Sequence, residues 1–217
     1  MNKTAAVLWT GGKDCALAFF KAQQREYSIT HLITFAPENP DFKAHNLSLI
    51  QQQVNEIELP HIILTIKKPI KESYENAISL LKTKYKIETL ITGDIDEIEN
   101  QSNWIEKCSE KSGMQVYNPL WKKNRTELLS TLLNKKFEVI FSLVKKPFFS
   151  QDWVGKTIDS TTINNLKELN IDICGENGEY HTMVLNAPFF KRKINIGLYS
   201  IKENEHYSYL HKQLTTS

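Results

Sequence analysis

The chain has 217 residues, of which 41% are hydrophobic and 24% are charged, and its formal net charge is +2. This composition is typical of a soluble globular protein with a substantial core, arranged as one large domain or two small ones. The net charge is too small to indicate a nucleic-acid-binding protein, and nucleic acid is not expected as a partner.

The cysteines and the first residues bear on the compartment. Three cysteines lie far apart and form no C-x-x-C pair, so neither a zinc site nor a redox motif is indicated, and a reducing cytosol is expected. Residues 1–4 run directly into the first predicted strand, and no apolar run approaches the length of a membrane span. We therefore expect no signal peptide, no membrane partner and a cytoplasmic location.

The first half of the chain alternates between strand-like and helix-like segments. Strands are predicted at residues 5–9, 30–35, 61–66, 89–92 and 114–117. Helices are predicted at residues 16–21, 46–58 and 70–85, with a further helix through Trp104 and Ile105. Strands separated by single helices indicate right-handed βαβ units and a mostly parallel sheet. On such a sheet, ligands bind beyond the carboxyl ends of the strands.

The pattern changes after Trp121. The second half has predicted helices at residues 125–135 and 160–169, strands at 139–144 and 183–185, and a further apolar segment at 194–201. We predict an α/β fold class. A parallel-sheet domain is expected at residues 1–121, and a smaller C-terminal α+β region at residues 122–217.

The junction between the first strand and the first helix, Thr10–Cys15, has the sequence T-G-G-K-D-C. Adjacent glycines let the backbone turn tightly and approach a ligand, and the unpartnered N–H groups at a helix start favour an anion. Lys13 adds a positive charge, and Asp14 can hold a magnesium ion that bridges phosphates. The spacing fits neither a Walker loop nor the G-x-G-x-x-G fingerprint. It predicts a phosphate cradle, with an ordinary strand–helix turn as the alternative.

A second motif, Gly175–Thr182, has the sequence G-E-N-G-E-Y-H-T. It concentrates two carboxylates, an amide, a phenol and an imidazole, which is a density of polar groups typical of a binding site. The alternative is a hairpin turn built on Asn177-Gly178.

Taken together, the two motifs resemble those of the diphthine–ammonia ligase family of ATP pyrophosphatases. The first is similar to the S-G-G-x-D-S pyrophosphate loop, with Thr10 and Cys15 in the two serine positions, and the second is similar to G-E-G-G-E-Y-E-T. The resemblance covers nearly the whole chain, including residues 119–121 and 186–190. It implies an adenine-nucleotide α-hydrolase domain, HUP-like and Rossmann-type, followed by a substrate-recognition region.

The resemblance also implies a reaction. ATP would adenylate a carboxylate, and ammonia would then displace AMP to form the amide, with pyrophosphate as the other product. The acid would be diphthine on an elongation factor, or another acid. Asn177 and His181 replace the glycine and glutamate of the family motif, a form that resembles a bacterial branch, in which diphthamide is not expected. Residues 93–96 replace a loop expected to carry serine and tyrosine, so the activation chemistry transfers better than the substrate identity.

The resemblance assigns roles to individual residues. Those expected at ATP are Thr10, Gly11, Gly12, Lys13, Asp14, Cys15, Phe35, His45, Gly93 and Asp94. Those expected at the acceptor are Asn177, Gly178, Tyr180, His181 and Thr182. Lys13, Asp14, Glu176 and Glu179 are the expected catalytic residues, with Glu179 the favoured base or ammonium partner. Asp14 and Asp94 are the expected Mg²⁺ ligands.

Several of these residues have structural alternatives. Asp14 is equally well placed to cap a helix, Phe35 to pack in the core, and His45 to lie in a solvated loop. Cys15 is interpreted as a packing substitution for serine. Among functions, the alternatives are a PP-loop enzyme that thiolates tRNA or forms lysidine, and a non-catalytic nucleotide-binding module. A homodimer is compatible with all of them.

Overall fold

The computed structural model describes residues 3–25, 27–38, 43–97 and 103–212. The chain forms two compact units. The first unit contains residues 1–10, 14–41 and 58–122, and the second contains residues 11–13, 42–57 and 123–217. Two segments that precede residue 58 therefore group with the C-terminal part of the chain. The division at residues 121 and 122 remains a prediction about the sequence.

A five-stranded parallel sheet organises the first unit. Its strands are β1 (Thr4–Leu8), β2 (Ser28–Pro37), β3 (His61–Ile66), β4 (Thr89–Ile91) and β5 (Gln115–Tyr117). They are ordered β3-β2-β1-β4-β5, and every neighbouring pair is parallel. The order reverses next to β1, which is where such sheets place a ligand. The predicted α/β fold class is confirmed.

The helices of the first unit follow the strands in the chain. They are α1, which spans Lys13–Gln23 and is grouped with this unit from Asp14 onward, α3 (Ile70–Lys84) and α4 (Trp104–Ser109). The helix predicted through Trp104 and Ile105 is α4, which begins after Asn103, whose side chain accepts from the amide of Glu106. The apolar faces of α3 and α4 bury a core against the sheet. This core comprises Ala6, Ile33, Ile78, Leu81, Ile87, Leu90, Ile105, Cys108 and Met114.

The second unit is built on a four-stranded antiparallel sheet. Its strands are β6 (Glu138–Lys145), β7 (Tyr180–Asn186), β8 (Tyr199–Glu203) and β9 (Tyr207–Lys212), ordered β7-β6-β9-β8. Its helices are α2 (Leu47–Ile57), α5 (Arg125–Asn134) and α6 (Ser160–Lys167). Side chains fix two of the helix starts: Asn124 accepts from the amide of Glu127, and Asp159 and Thr162 form a reciprocal capping box.

The last strands differ from the sequence prediction. The predicted apolar segment at 194–201 does not form one element, because Gly197 has a φ of +63° and its amide donates to the side chain of Asn195. This turn delays β8 until Tyr199. Strand β9 is absent from the sequence prediction; Asn204 accepts from the amides of His206 and Tyr207 and so turns the chain back into it. Within the described ranges, no helix has the length and apolar character needed to cross a membrane.

Candidate functional site

The glycine segment Gly11–Lys13 is held by strand β7. The amide of Val184 donates to the Gly11 carbonyl at 2.9 Å, and the amide of Lys13 donates to the Thr182 hydroxyl at 3.0 Å. Lys13 is the first residue of α1, so Thr182 takes up one of the N–H groups that lack an intrahelical partner. Lys13 and Thr182 are 169 positions apart in the chain, and the two motifs found in the sequence therefore contact each other directly.

The Lys13 side chain continues this contact. It is only 3% exposed, its ammonium donates to the carbonyl of Cys174 at 2.5 Å, and its Nζ lies 5.3 Å from the centre of the Tyr180 ring. The Tyr180 hydroxyl in turn donates to the carbonyl of Ile173 at 2.6 Å. The carbonyl oxygen of Cys174 and the face of the Tyr180 ring thus compensate the buried charge.

Glu179 organises the turn that precedes β7. Its Oε1 accepts from the amide of Asp172 and from the side-chain amide of Asn177, and its Oε2 accepts from the backbone amide of Asn177. The side chain is 4% exposed. Three N–H donors converge on this carboxylate, which gives it a structural function in the turn. Its predicted role as base or ammonium partner is untested by this geometry.

Asp172, at the other end of the turn, links it to helix α5. Its carboxylate forms an ion pair with Arg125, at 3.1 Å from the guanidinium, and also accepts from the amide of Cys174 at 2.7 Å. Cys174, whose carbonyl accepts from Lys13, is therefore held by the bond from its own amide to Asp172. Glu176 and Gly178 are half-buried on this turn, and Asn177 is exposed.

His181 lies on β7, and its ring contacts that of His45 edge to face, with 5.3 Å between centroids. Burial and the nearby Lys13 ammonium lower the pKa of His181 to about 4, so the imidazole is neutral at pH 7. This part of the second unit therefore presents a neutral imidazole next to the Lys13 ammonium.

The remaining predicted site residues belong to the first unit. A Cβ built on Gly93 would lie 2.6 Å from the backbone carbon of Asp14 and 2.7 Å from the amide nitrogen of Cys15, so the end of β4 approaches the start of α1 with no space for a side chain. Cys15 is a buried free thiol, and the Thr10 hydroxyl lies 3.8 Å from its sulfur. The sequence interpretation of Cys15 as a packing residue agrees with its burial.

Asp94 and Phe35 also have defined surroundings in the first unit. Asp94 accepts from the Thr92 hydroxyl at 2.7 Å and from the Asn103 side-chain amide at 2.6 Å. The Phe35 ring packs against Tyr74 with 4.9 Å between centroids, as part of the layer around the core. Its predicted contact with adenine stays a prediction.

Sequence analysis did not assign Gln53, Arg125, Asp172 or Cys174 to this site. Gln53 of α2 is fully buried, and its amide donates to the carbonyls of Gly11 and Val184 at 2.9 and 2.8 Å. The available signal was a polar side chain on the apolar stripe that includes Ile50 and Val54.

Comparison with protein families gives two matches that together cover nearly all of the chain. Residues 3–116 match the diphthamide synthase N-terminal domain, and residues 124–215 match the diphthamide synthase C-terminal domain. The two matches correspond to the parts of the chain that carry the first and second motifs, respectively.

Two individual relatives are both named diphthine–ammonia ligase. A human diphthine–ammonia ligase is 29% identical over 129 residues, covering 58% of this chain and 48% of the relative. The rat diphthine–ammonia ligase is 25% identical over 218 residues, covering 87% of this chain and 81% of the relative. The chain thus spans about half the length of the human relative in their alignment.

A solved structure is also similar. It is described as a "predicted subunit of tRNA methyltransferase" from Methanocaldococcus jannaschii, is 19% identical, and aligns with a TM-score of 0.48 over 88% of this chain and 100% of that one. On these two domain matches, the chain belongs to the diphthamide synthase family, whose matched curated members are named diphthine–ammonia ligase.

Proposed function

We propose that the chain is an ATP-dependent carboxylate–ammonia ligase that forms AMP. A carboxylate oxygen of the acid attacks the α-phosphorus of ATP, the bond from that phosphorus to the bridging oxygen of the β-phosphate breaks, and pyrophosphate leaves. Ammonia then attacks the acyl carbon, the bond to the AMP oxygen breaks, and the nitrogen loses a proton to solvent. The products are the amide, AMP and pyrophosphate, formed in the cytoplasm.

The observation that carries this proposal is the contact between the two motifs. Lys13 of the glycine segment bonds through its amide to Thr182 and through its ammonium to Cys174. A ligase of this kind must bring the acid to the phosphorus that it attacks, because alignment of the reacting groups supplies much of the rate enhancement. Direct bonding between the nucleotide motif and the acceptor motif suits that requirement.

Gly11, Gly12 and Lys13 are assigned to the pyrophosphate. The departing group gains negative charge as the bond to the α-phosphorus breaks, and backbone N–H groups together with an ammonium stabilise it. An ammonium carries three donors, so the bond from Lys13 to Cys174 is compatible with a further bond to a phosphate oxygen.

Mg²⁺ is the metal that this chemistry implies. It is bound in nucleotide sites by one or two carboxylates plus phosphate oxygens and waters, rather than by a cage of protein ligands. Asp14 and Asp94 fit that requirement, since Gly93 brings the end of β4 against the backbone of Asp14. Among the described residues there is no group of three or more His, Cys, Asp or Glu that could hold a metal ion by itself. The ion would neutralise charge on the phosphates.

The acceptor is assigned to the turn and strand from Glu176 to Thr182. A carboxylate acceptor requires positive or neutral hydrogen-bonding groups, and the Lys13 ammonium and the neutral imidazole of His181 would supply them. Glu176 and Glu179 are the acidic candidates for binding ammonium; the Oε2 of Glu179 accepts one bond within the turn and has the capacity to accept a second. Diphthine and other acids remain the candidate substrates.

The test is a product analysis. Purified protein is incubated with ATP, Mg²⁺, ¹⁵N-ammonium and a panel of acids that includes a diphthine-bearing elongation factor. We expect acid-dependent formation of AMP and pyrophosphate in equal amounts, and ¹⁵N in an amide of the acid. ADP and phosphate as main products would contradict the proposal, as would transfer of sulfur or an amine to tRNA instead of to the acid.

A further inference from the structure

Gln53 is a buried amide in the middle of an apolar helix face. It is fully buried on α2, between residues such as Ile50 and Val54 that pack as hydrophobic side chains. Burying an amide costs free energy unless its polar atoms are bonded. Its Nε2 has two bonds, to the carbonyls of Gly11 and Val184. At this position the helix therefore has a side chain that donates to the glycine segment, in place of one that makes only apolar contacts.

The bond to Gly11 fixes more than one atom. The Gly11 carbonyl and the Gly12 N–H belong to the same planar peptide unit and point in opposite directions when the peptide is trans. The Gly11 carbonyl receives two donors, one from Gln53 and one from the amide of Val184 at 2.9 Å. Two donors on one oxygen restrict rotation of the peptide plane, and the direction of the Gly12 N–H is thereby set.

The residue at position 11 must be glycine for this arrangement to exist. Gly11 has a φ of +79°, and a Cβ there would lie 2.5 Å from the Oε1 of Gln53 and 2.8 Å from the Cε of Met183. The Gln53 amide therefore fills the space that a side chain at position 11 would need, and Gly11 leaves that space open.

We infer that Gln53 is a positioning residue for nucleotide binding: it holds the Gly11–Gly12 peptide plane against β7 and so aims the Gly12 N–H at the pyrophosphate of ATP. This inference rests on the proposed function for the identity of the ligand. The holding of the peptide plane itself does not depend on it. Gln53 touches no reacting group and acts through the glycine segment.

The test compares three variants with the unaltered chain. Gln53→Met keeps the side-chain length and removes both donors. Gln53→Glu replaces the donor by an oxygen that faces two carbonyls and can donate only when protonated. Gln51→Met, on the exposed side of the same helix, is the matched control. Two quantities are measured at a temperature where circular dichroism shows each protein folded: the hydrogen-exchange rates of the Gly12 and Lys13 amides, and the dissociation constant for Mg-ATP by calorimetry.

For Gln53→Met we expect faster exchange of both amides and an ATP dissociation constant about 3- to 10-fold higher, the effect of roughly one neutral hydrogen bond. Gln51→Met should match the unaltered chain in both. Gln53→Glu should bind ATP more tightly at pH 6 than at pH 8 relative to the unaltered chain, because burial against two carbonyls raises the pKa of the new carboxyl group and only its protonated form donates.

Gln53→Met with unchanged exchange and unchanged ATP affinity would overturn the inference, and so would a lower melting temperature alone with normal affinity of the folded protein. If Gln53→Met does not fold, the pH dependence of ATP binding by Gln53→Glu tests the inference instead. The protonated and ionised forms of the new carboxyl group are then compared within one protein. If the unaltered chain itself binds no ATP, the proposed function fails instead, and amide exchange still tells whether Gln53 holds the segment.

Discussion

The ammonium of Lys13 donates to the backbone carbonyl of Cys174 at 2.5 Å, which joins two residues 161 positions apart. Cys174 is held in turn by the bond from its amide to Asp172, and Asp172 is paired with Arg125. The turn at residues 172–179 therefore helps to fix the position of the Lys13 ammonium. This series of contacts connects the turn that carries the second motif with the Lys13 side chain of the first motif.

Loss of the Lys13 charge should weaken ATP binding. In Lys13→Met the apolar stem is kept and the charge-assisted bond to phosphate that we propose is removed; such a bond is worth about 1.5–3 kcal/mol, or about 10- to 150-fold in affinity. Calorimetry with Mg-ATP on the folded variant measures this. Lys21→Met, in the last turn of the same helix α1, is the control. Equal ATP affinity in the two variants would show that Lys13 serves only the bond to Cys174.

Exchange of Glu179 for glutamine should lower stability more than exchange of Glu176. The side-chain amide of Glu179→Gln would turn an NH₂ group toward one of the three N–H donors that now meet the carboxylate, leaving that donor buried and unsatisfied. We expect a loss of about 1–3 kcal/mol in the free energy of unfolding, measured by urea titration. Glu176→Gln should lose less stability, because Glu176 is only half-buried on the same turn.

If Glu179→Gln unfolds at the same urea concentration as the unaltered chain, the carboxylate does not hold the turn. A folded variant with normal stability but no amide formation would then favour the catalytic role that sequence analysis assigned to it.

The extent to which the sequence predicted this structure follows from the range of the interactions. The strands of the parallel sheet are short apolar runs separated by helical periodicity, and both signals are local, so they could be found in the sequence. The contact of Gln53 with Gly11 and Val184 spans 42 and 131 positions, and no local pattern reports it. The local sequence shows only that Gln53 is a polar residue on an apolar helix face, and it does not show which groups Gln53 bonds.

Glu179 illustrates a different limit. A cluster of carboxylates in a loop predicts a binding site by composition, but the same side chain also satisfies backbone amides of its own turn. The sequence does not distinguish these uses, because the donors that converge on Glu179 belong to Asp172 and Asn177, whose amides could equally face solvent. The structure shows that the Glu179 carboxylate accepts hydrogen bonds from its own turn.

A side chain at position 93 should disturb the start of helix α1. The Cβ of Gly93→Ala would meet the Asp14 carbonyl carbon at 2.6 Å and the Cys15 nitrogen at 2.7 Å, and both are backbone atoms that cannot rotate away. We expect a loss of about 1–3 kcal/mol in stability, as for an overpacked core, together with weaker Mg-ATP binding because Asp14 is displaced. Thermal unfolding and calorimetry measure the two effects.

Gly178→Ala is the control for Gly93→Ala. Its Cβ would meet nothing within 4 Å, so only the cost of a φ of +76° remains, about 1–2 kcal/mol. Normal ATP affinity in Gly93→Ala would contradict the assignment of the β4 end to the nucleotide.

The lowered pKa of His181 predicts how stability depends on pH. Its folded-state pKa is about 4 and its unfolded value is 6.5, so between these values the unfolded chain binds more protons. Stability is then fully present above about pH 6.5 and falls as the pH drops toward 4, with a contribution of about 2–3 kcal/mol from this residue. Urea unfolding between about pH 4.5 and 8 measures the slope.

His181→Gln should flatten that slope, because glutamine has no proton to gain, whereas His206→Gln in the exposed β8–β9 turn should keep it. Removal of the nearby charge gives a second check: in Lys13→Met the repulsion that contributes to the low folded-state pKa is absent, so the decline should still begin near pH 6.5 but level off at a higher pH and be smaller in total. A slope that is the same in His181→Gln and in the unaltered chain would mean that other groups govern the acid side, and that His181 does not stay neutral by burial beside Lys13.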